Sequence, residues 1–425
     1  MKVSDLAAAI LGAIAASSCA LKFDTKPVEP PPDTSTDPDA TDTEATGDPD
    51  GVEEDVKPDE PWDEVDELDV QDVLDVEEED PAPEMDAVDI VDLDTPVEDP
   101  GEEEPGCLYS PLVCVTDDLR TMIEAIDIAS AVFVAPTSSR RTNWGTLLGY
   151  VLAANWANTL ARAGSMGVEV TAVHDSVTRT DYILIHDPTN GEGTYVINLS
   201  PTRDYVFEVP YPVDDAGTLA QGIEALRGTT GGESGWALLI GGTDRCESTI
   251  SIPCDGTTVA CTGSTASFRL SDVAHNPNLV FHTVHVQLLN TTPAPAGGTP
   301  IAIQFQDQSD ASGAYAYASD GTTTDGTGVP LGISILLRNA LRTEFPAWSS
   351  SILSCNDPID RALTLFDSDC QTTNVQGRWT NNPSGSPCSV PATTSSDRFV
   401  VLEEGVEMRD TSQLTTFVVA IYLLP

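Results

Sequence analysis

Residues 205–240 read YVFEVPYPVDDAGTLAQGIEALRGTTGGESGWALLI, and this stretch decides the fold. Its first five residues, Tyr205–Val209, are β-branched and aromatic apart from Glu208 and are stopped by Pro210 and Pro212, so they read as a strand. A helix-forming segment follows near Ala216–Leu226. The apolar run Trp236–Ile240 then reads as a buried strand. Strand, helix and strand in that order argue for α/β architecture with a largely parallel sheet.

The alternation extends in both directions. Upstream, Asp117 opens a helix to about Ala129, followed by the apolar run Ala131–Ala135. Trp144, Leu148, Leu152, Trp156 and Leu160 recur every four residues and predict one long helix stopped by Gly164. Strands are predicted at Val168–Val173, Tyr182–His186 and Thr194–Asn198. Downstream, Asn276 as N-cap and Pro277 at the first helical position predict a helix to Leu289, although the segment is rich in Val and Phe. Ile301–Phe305 reads as a strand. Ile333, Leu336, Leu337, Ala340 and Leu341 form one helical face, and Phe399–Leu402 is a late strand. Leu414, Phe417, Val418 and Ile421 predict a closing helix. The predicted class is α/β: a mixed, mostly parallel sheet flanked by helices, with no internal repeat.

Charge divides the chain. Of 425 residues carrying a net −50, residues 20–106 hold 35 Asp and Glu against Lys22, Lys26 and Lys57, whereas residues 107–425 hold 33 acids against 15 Arg and no Lys. The first segment has too little apolar surface to offset chain entropy, so it reads as a disordered tether, extended by self-repulsion and proline, with a reach of roughly 300 Å at full stretch. Between Trp62 and Leu93, apolar residues alternate with acids, a pattern that can dock a partner as a short helix. A polyanion repels phosphate backbones, and no Arg cluster exceeds Arg140-Arg141, which excludes nucleic-acid binding. Without lysine beyond position 57, the folded part has no Schiff-base or P-loop lysine.

The N-terminus reads as an export signal. Lys2 supplies positive charge, Leu6–Ala16 is apolar but too short to span a membrane, and Ala16-Ser17-Ser18-Cys19 follows. Small residues before a cysteine resemble the bacterial lipobox, which implies lipidation of Cys19 and a membrane anchor in the cell envelope. Ordinary cleavage at an A-x-S or S-x-A site is the alternative. The expected organisation is a signal peptide over 1–18, the tether over 19–106 and one folded domain over 107–425. Nine Cys is an odd number in a secreted chain, and setting Cys19 aside leaves Cys107, Cys114, Cys246, Cys254, Cys261, Cys355, Cys370 and Cys388 for as many as four disulfides. The step from Cys107 to Cys114 invites a local loop. Cys355, Cys370 and Cys388 are expected to staple a long loop before the last strand.

In open α/β sheets ligands sit beyond the C-terminal strand ends. Those ends carry His186-Asp187, Glu208, Asp244-Arg245, Gln306-Asp307 and Glu403-Glu404. Over roughly residues 180–425, the order E-x-P-x-P (Glu208–Pro212), Gly-Gly-Thr-x-Arg (Gly241–Arg245), S-D-x-A-H-N (Ser271–Asn276) and a closing Leu402-Glu403-Glu404 near Arg409 resembles a group of secreted bacterial proteins. These are associated with zinc hydrolases of the phosphorylase/hydrolase-like fold, the class that includes carboxypeptidases and N-formylglutamate amidohydrolases. The resemblance implies that fold. It implies zinc ligands among Glu208, His275 and Gln306, with Glu403 or Glu404 as the base for water and Arg245 or Arg409 as a clamp for a substrate carboxylate. Successive strand residues face opposite ways, so one of the two glutamates points into the crevice. The pattern expects histidines where this chain has Tyr211, Asp244 and Gln306. Apart from the resemblance, Glu208 also reads as a solvent-face residue on a half-exposed strand.

Weaker signals are set aside. His282 and His285 share a helix face, but without H-E-x-x-H they read as structural. Gly232-Glu233-Ser234-Gly235 fails G-x-S-x-G and precedes a strand. The loop Asp320–Gly328 lacks EF-hand spacing. The expected function is a surface-tethered lipoprotein whose hydrolase-like domain binds a protein or small-molecule ligand or is catalytically degenerate. The rival is an active metal-dependent amide hydrolase acting on peptides or cell-wall fragments.

Overall fold

A computed structural model describes residues 108–292, 294–308, 313–363 and 370–425. The predicted signal, Cys19, the acidic tether and Cys107 lie outside the described residues. The strands are β1 (Val113–Asp117), β2 (Glu169–Asp175), β3 (Asp181–His186), β4 (Thr194–Asn198), β5 (Tyr205–Val209), β6 (Ala237–Ile240), β7 (Ile301–Asp307), β8 (Ala316–Ser319), β9 (Ile352–Ser354) and β10 (Phe399–Glu404). They form one sheet in the order β1-β2-β3-β4-β6-β5-β7-β10-β8-β9. The centre, β6-β5-β7-β10, is parallel, as are the outer pairs β1-β2 and β8-β9. Antiparallel steps join β2 to β3, β3 to β4, β4 to β6 and β10 to β8. The sheet is mixed and mostly parallel, as expected.

Helices cover both faces. α1 (Leu119–Glu124), α4 (Thr218–Arg227), α6 (Ile333–Glu344) and α9 (Leu414–Tyr422) pack on one side, where Phe207, Phe305, Leu402 and Phe417 meet. On the other lie α2 (Ser138–Leu152), α3 (Trp156–Met166), α5 (Val280–Asn290) and α8 (Val375–Asn381), around Trp144, Val206, Leu239 and Phe399. α7 (Pro358–Arg361) is a single turn. β5 shows the period-two logic: Tyr205, Phe207 and Val209 join the first core, while Val206 joins the second. Glu208 therefore faces α5 and α8.

Several elements differ from expectation. The long helix is two helices, because Ala154 takes a left-handed φ of 53° and the Asn155 side chain caps α3 through the Asn158 amide. Gly164 lies inside α3, which ends instead on left-handed Gly167. Asn276-Pro277 opens a turn and α5 begins only at Val280; the Asn276 side chain is spent on the Leu270 carbonyl and the Asn278 amide. Asp117 ends β1, and Asp118 is the cap of a shorter α1. The run Ala131–Ala135 is irregular.

Three disulfides join Cys246 to Cys261, Cys254 to Cys388 and Cys355 to Cys370, and Cys114 is also disulfide-bonded. Cys388 thus leaves the expected loop staple and reaches back to a small cluster of Ile252, Cys254 and Phe268. Such bridging places the domain in an oxidising, exported environment. Chain entropy predicts that the 134-residue Cys254–Cys388 link stabilises more than the 15-residue Cys355–Cys370 link. Urea unfolding of Cys254→Ser/Cys388→Ser should show a loss about 2 kcal/mol larger than that of Cys355→Ser/Cys370→Ser. Equal losses would show that loop length is not the source of the stabilisation.

Candidate functional site

The strand order reverses between β5 and β7, since β5 leads through α4 to β6 on one side while β7 adjoins it on the other. This switch point is where an α/β sheet opens a crevice. Here the crevice is filled by the protein's own side chains. Buried Asp215 accepts from the Asp307 amide (2.8 Å) through one carboxyl oxygen and pairs with Arg245 (2.6 Å) through the other. Arg245 also pairs with Asp214 (3.2 Å) and lies 3.9 Å above the Tyr211 ring. Tyr211 donates its hydroxyl to Asp272 (2.6 Å), which His275 Nδ1 also engages at 2.9 Å. The His275 ring stacks on Phe268. Beyond Asp215, Asp307 pairs with Arg409. Burial pushes the Asp215 carboxyl up to about 6, against the pull of Arg245.

Glu208 is fully buried rather than solvent-facing. His285 Nδ1 sits 2.6 Å from its Oε1, and Gln304 donates to its Oε2 at 2.9 Å. His285 Nε2 meets the Thr380 hydroxyl at 2.9 Å. Gln304 Oε1 accepts from Asn374 (2.6 Å) and Gln306 (2.5 Å). His282, beside His285, lacks a partner at Nδ1 among the described residues; burial, with His285 nearby, pushes it down to about 3 and keeps it neutral. Asp244 closes a turn by accepting from the Cys246 amide.

The structure therefore joins Glu208 to Gln306 through Gln304, and Arg245 to Arg409 through Asp215 and Asp307. It puts His275 in the Tyr211–Asp272 contact and leaves no common point for a metal. Among the described residues, no three His, Cys, Asp or Glu side chains are grouped to hold one. Glu208 has both oxygens engaged and Gln306 spends its amide on Gln304, so these residues do not fit the zinc that the resemblance implies. In the loop after β8, Asp320 and Asp325 accept hydrogen bonds from Thr322 and Thr327, which organises turns. Sequence reading missed Gln221, Asn374 and Thr380. Of these only Asn374, two residues before a helical Gln-Gly-Arg, carried a capping signal.

Glu403 and Glu404 face opposite sides, as the strand period requires. Glu403, half-buried, accepts from Gln371 (2.6 Å) on the α8 side. Glu404 is fully buried on the α4 and α9 side, where one oxygen accepts from Gln221 Nε2. Among the described residues its other oxygen has no partner, and neither has Gln221 Oε1. Arg409 donates to the Glu404 backbone carbonyl, not to its carboxyl group.

A cavity of about 360 Å³ opens beside the crevice, at the C-terminal ends of β3 and β6. His186, Thr194, Gly193 and Gly242 line it, together with the 126–132 segment. His186 Nδ1 meets the Thr194 hydroxyl at 2.9 Å, and burial lowers its pKa although Glu169 and Asp187 act in the opposite direction. No protein-family model matches the chain, and no match was found among curated proteins or solved structures.

Burial pushes the Glu404 carboxyl up to about 8 from an ordinary 4.5, against the Gln221 hydrogen bond and Arg409. The folded protein keeps this group neutral while the unfolded chain ionises it. The stability it permits is fully present below about 4.5 and is lost as pH rises through about 8. The loss reaches on the order of 4 kcal/mol. Glu404→Gln keeps the shape and removes the titration, so its unfolding free energy should fall far less than wild type between pH 5 and 8 in denaturant titrations. Parallel curves would place the titrating group elsewhere.

Proposed function

We propose that the chain is an exported lipoprotein, anchored through Cys19 and spaced from the membrane by its acid-rich segment, whose hydrolase-like domain binds a ligand and does not cleave one. One observation carries the reading: the switch-point crevice, where a zinc hydrolase of this fold would hold its metal, is closed by Tyr211, Asp215, Arg245 and Asp307 acting on one another. Metal-assisted hydrolysis needs an open coordination position and a base within reach of the bound water. Glu208 is committed to His285 and Gln304, and the two C-terminal glutamates are committed to Gln221 and Gln371.

Anchoring rests on the Ala16-Ser17-Ser18-Cys19 sequence and on the oxidising compartment that the disulfides require. Among the described residues no helix is long and apolar enough to cross a membrane. Protein purified without chelator should contain well under one equivalent of zinc and leave peptide amides intact. Its N-terminal peptide should carry lipid at Cys19, and Cys19→Ala should move the protein from the membrane to the soluble fraction. One equivalent of zinc with amide hydrolysis, both abolished in Glu208→Gln, would overturn the binding reading. An unmodified Cys19 would overturn the anchor.

A further inference from the structure

We propose that the cavity at the C-terminal end of β3 binds a short aliphatic ammonium compound, of the alkylamine or diamine class. This deepens the binding reading above and rests on it. The cavity, at about 360 Å³, falls within the range of small-molecule sites. Its wall is mixed: Ile126, Ile128, Val132 and Pro188 offer apolar surface for a short hydrocarbon segment between polar side chains. Apart from the His186 imidazole it contains no ring on which a sugar or a base could stack.

Its charge has one sign. Asp127 and Asp187 line it and no Arg does, while the domain has no Lys at all. Asp187 is already balanced by Arg140 at 3.3 Å and its side chain is sealed from solvent. Asp127 is exposed, and its carboxyl group is held by the Ser130 amide (3.2 Å) and hydroxyl (2.6 Å), which fixes its orientation while leaving lone pairs for a ligand. Glu169 stands opposite His186 in the β2–β3 register and acts electrostatically on its ring. A carboxylate or phosphate ligand would meet Asp127, which no described cation balances, whereas an ammonium group gains a charge-assisted hydrogen bond there.

His186 supplies the second contact. Nδ1 is engaged by Thr194, Nε2 makes no hydrogen bond among the described residues, and burial favours the uncharged ring, which does not repel a cation. The floor stays free of side chains because a Cβ on Gly242 would come within 2.3 Å of the Gly191 carbonyl oxygen. The domain's net negative charge favours cations at a distance as well.

The acid-rich segment also attracts amines, so the test must separate the two. Full-length protein is titrated calorimetrically with 1,4-diaminobutane at low salt, with succinate as an anion of the same length, and the histidine ring resonances are followed by NMR. The expected result is one saturable equivalent that shifts the His186 ring signals. Affinity should fall about tenfold in Asp127→Asn and be lost in Ala131→Phe, which fills the cavity, with both variants keeping the wild-type melting temperature. Binding that ignores both substitutions and leaves His186 unmoved belongs to the acid-rich segment and overturns the proposal. So does equal binding of succinate, or no binding of the diamine. If the diamine fails while peptide amides stay intact, this inference alone falls. Amide hydrolysis would sink the binding reading whatever the diamine does.

Discussion

A carboxyl group near the end of a buried central strand is the constraint around which one whole face of the molecule is arranged. Removing a carboxylate from water without partners costs far more than a domain's net stability, so Glu208 must be met from several directions. Gln304 meets it from the neighbouring strand, and His285 from the helix packed above. The requirement then propagates. His285 needs Thr380, and Gln304 needs Asn374, so α8 has to sit against α5 and β10 with its N-cap over β7. Asn374 also caps α8 by accepting from the Gly377 amide, and a Cβ at Gly377 would come 2.7 Å from the Phe399 ring. The close approach of α8 and the satisfaction of the Glu208 network are one geometric condition.

This explains which parts were legible in the sequence. β4 and β5 fall at Thr194–Asn198 and Tyr205–Val209 as read, and the β5-α4-β6 crossover follows from runs and punctuation within forty residues. Local pattern also carried the amphipathic α6 and the closing α9. What failed was equally physical. The four-residue spacing from Trp144 to Leu160 continues through a chain reversal because α2 and α3 both pack inward, and the signal for the break was one capping Asn155. β8 and β9, four and three residues long, carry too little pattern to declare themselves. The partners of Glu208 lie 77 and 96 residues away in the chain, beyond any periodicity.

The crevice shows how a scaffold can keep its strand-end polar residues and still lack a metal-binding geometry. Tyr211 spends its hydroxyl on Asp272 while its ring carries Arg245. Arg245–Asp215 and Asp307–Arg409 then form two ion pairs across the ends of the central strands, joined by the Asp307 backbone amide that donates to Asp215. Each group is the other's ligand. Such an arrangement is stable because every charge has an opposite neighbour, and by the same token a substrate would have to break ion pairs to enter.

Unspent hydrogen-bonding capacity is therefore the more telling quantity, and its meaning depends on access. Glu404 and Gln221 each keep an oxygen without a partner among the described residues, but both are sealed from solvent, so the deficit is felt as a stability that depends on protonation. His186 keeps a ring nitrogen without a partner among the described residues at the wall of an open cavity, where the deficit costs little while water can reach it and is available to a solute. The same accounting separates the crevice from the cavity beside it. In the crevice the polar atoms are consumed by one another, whereas at the end of β3 the folded chain has left an imidazole and a fixed carboxyl group facing a space that no side chain fills.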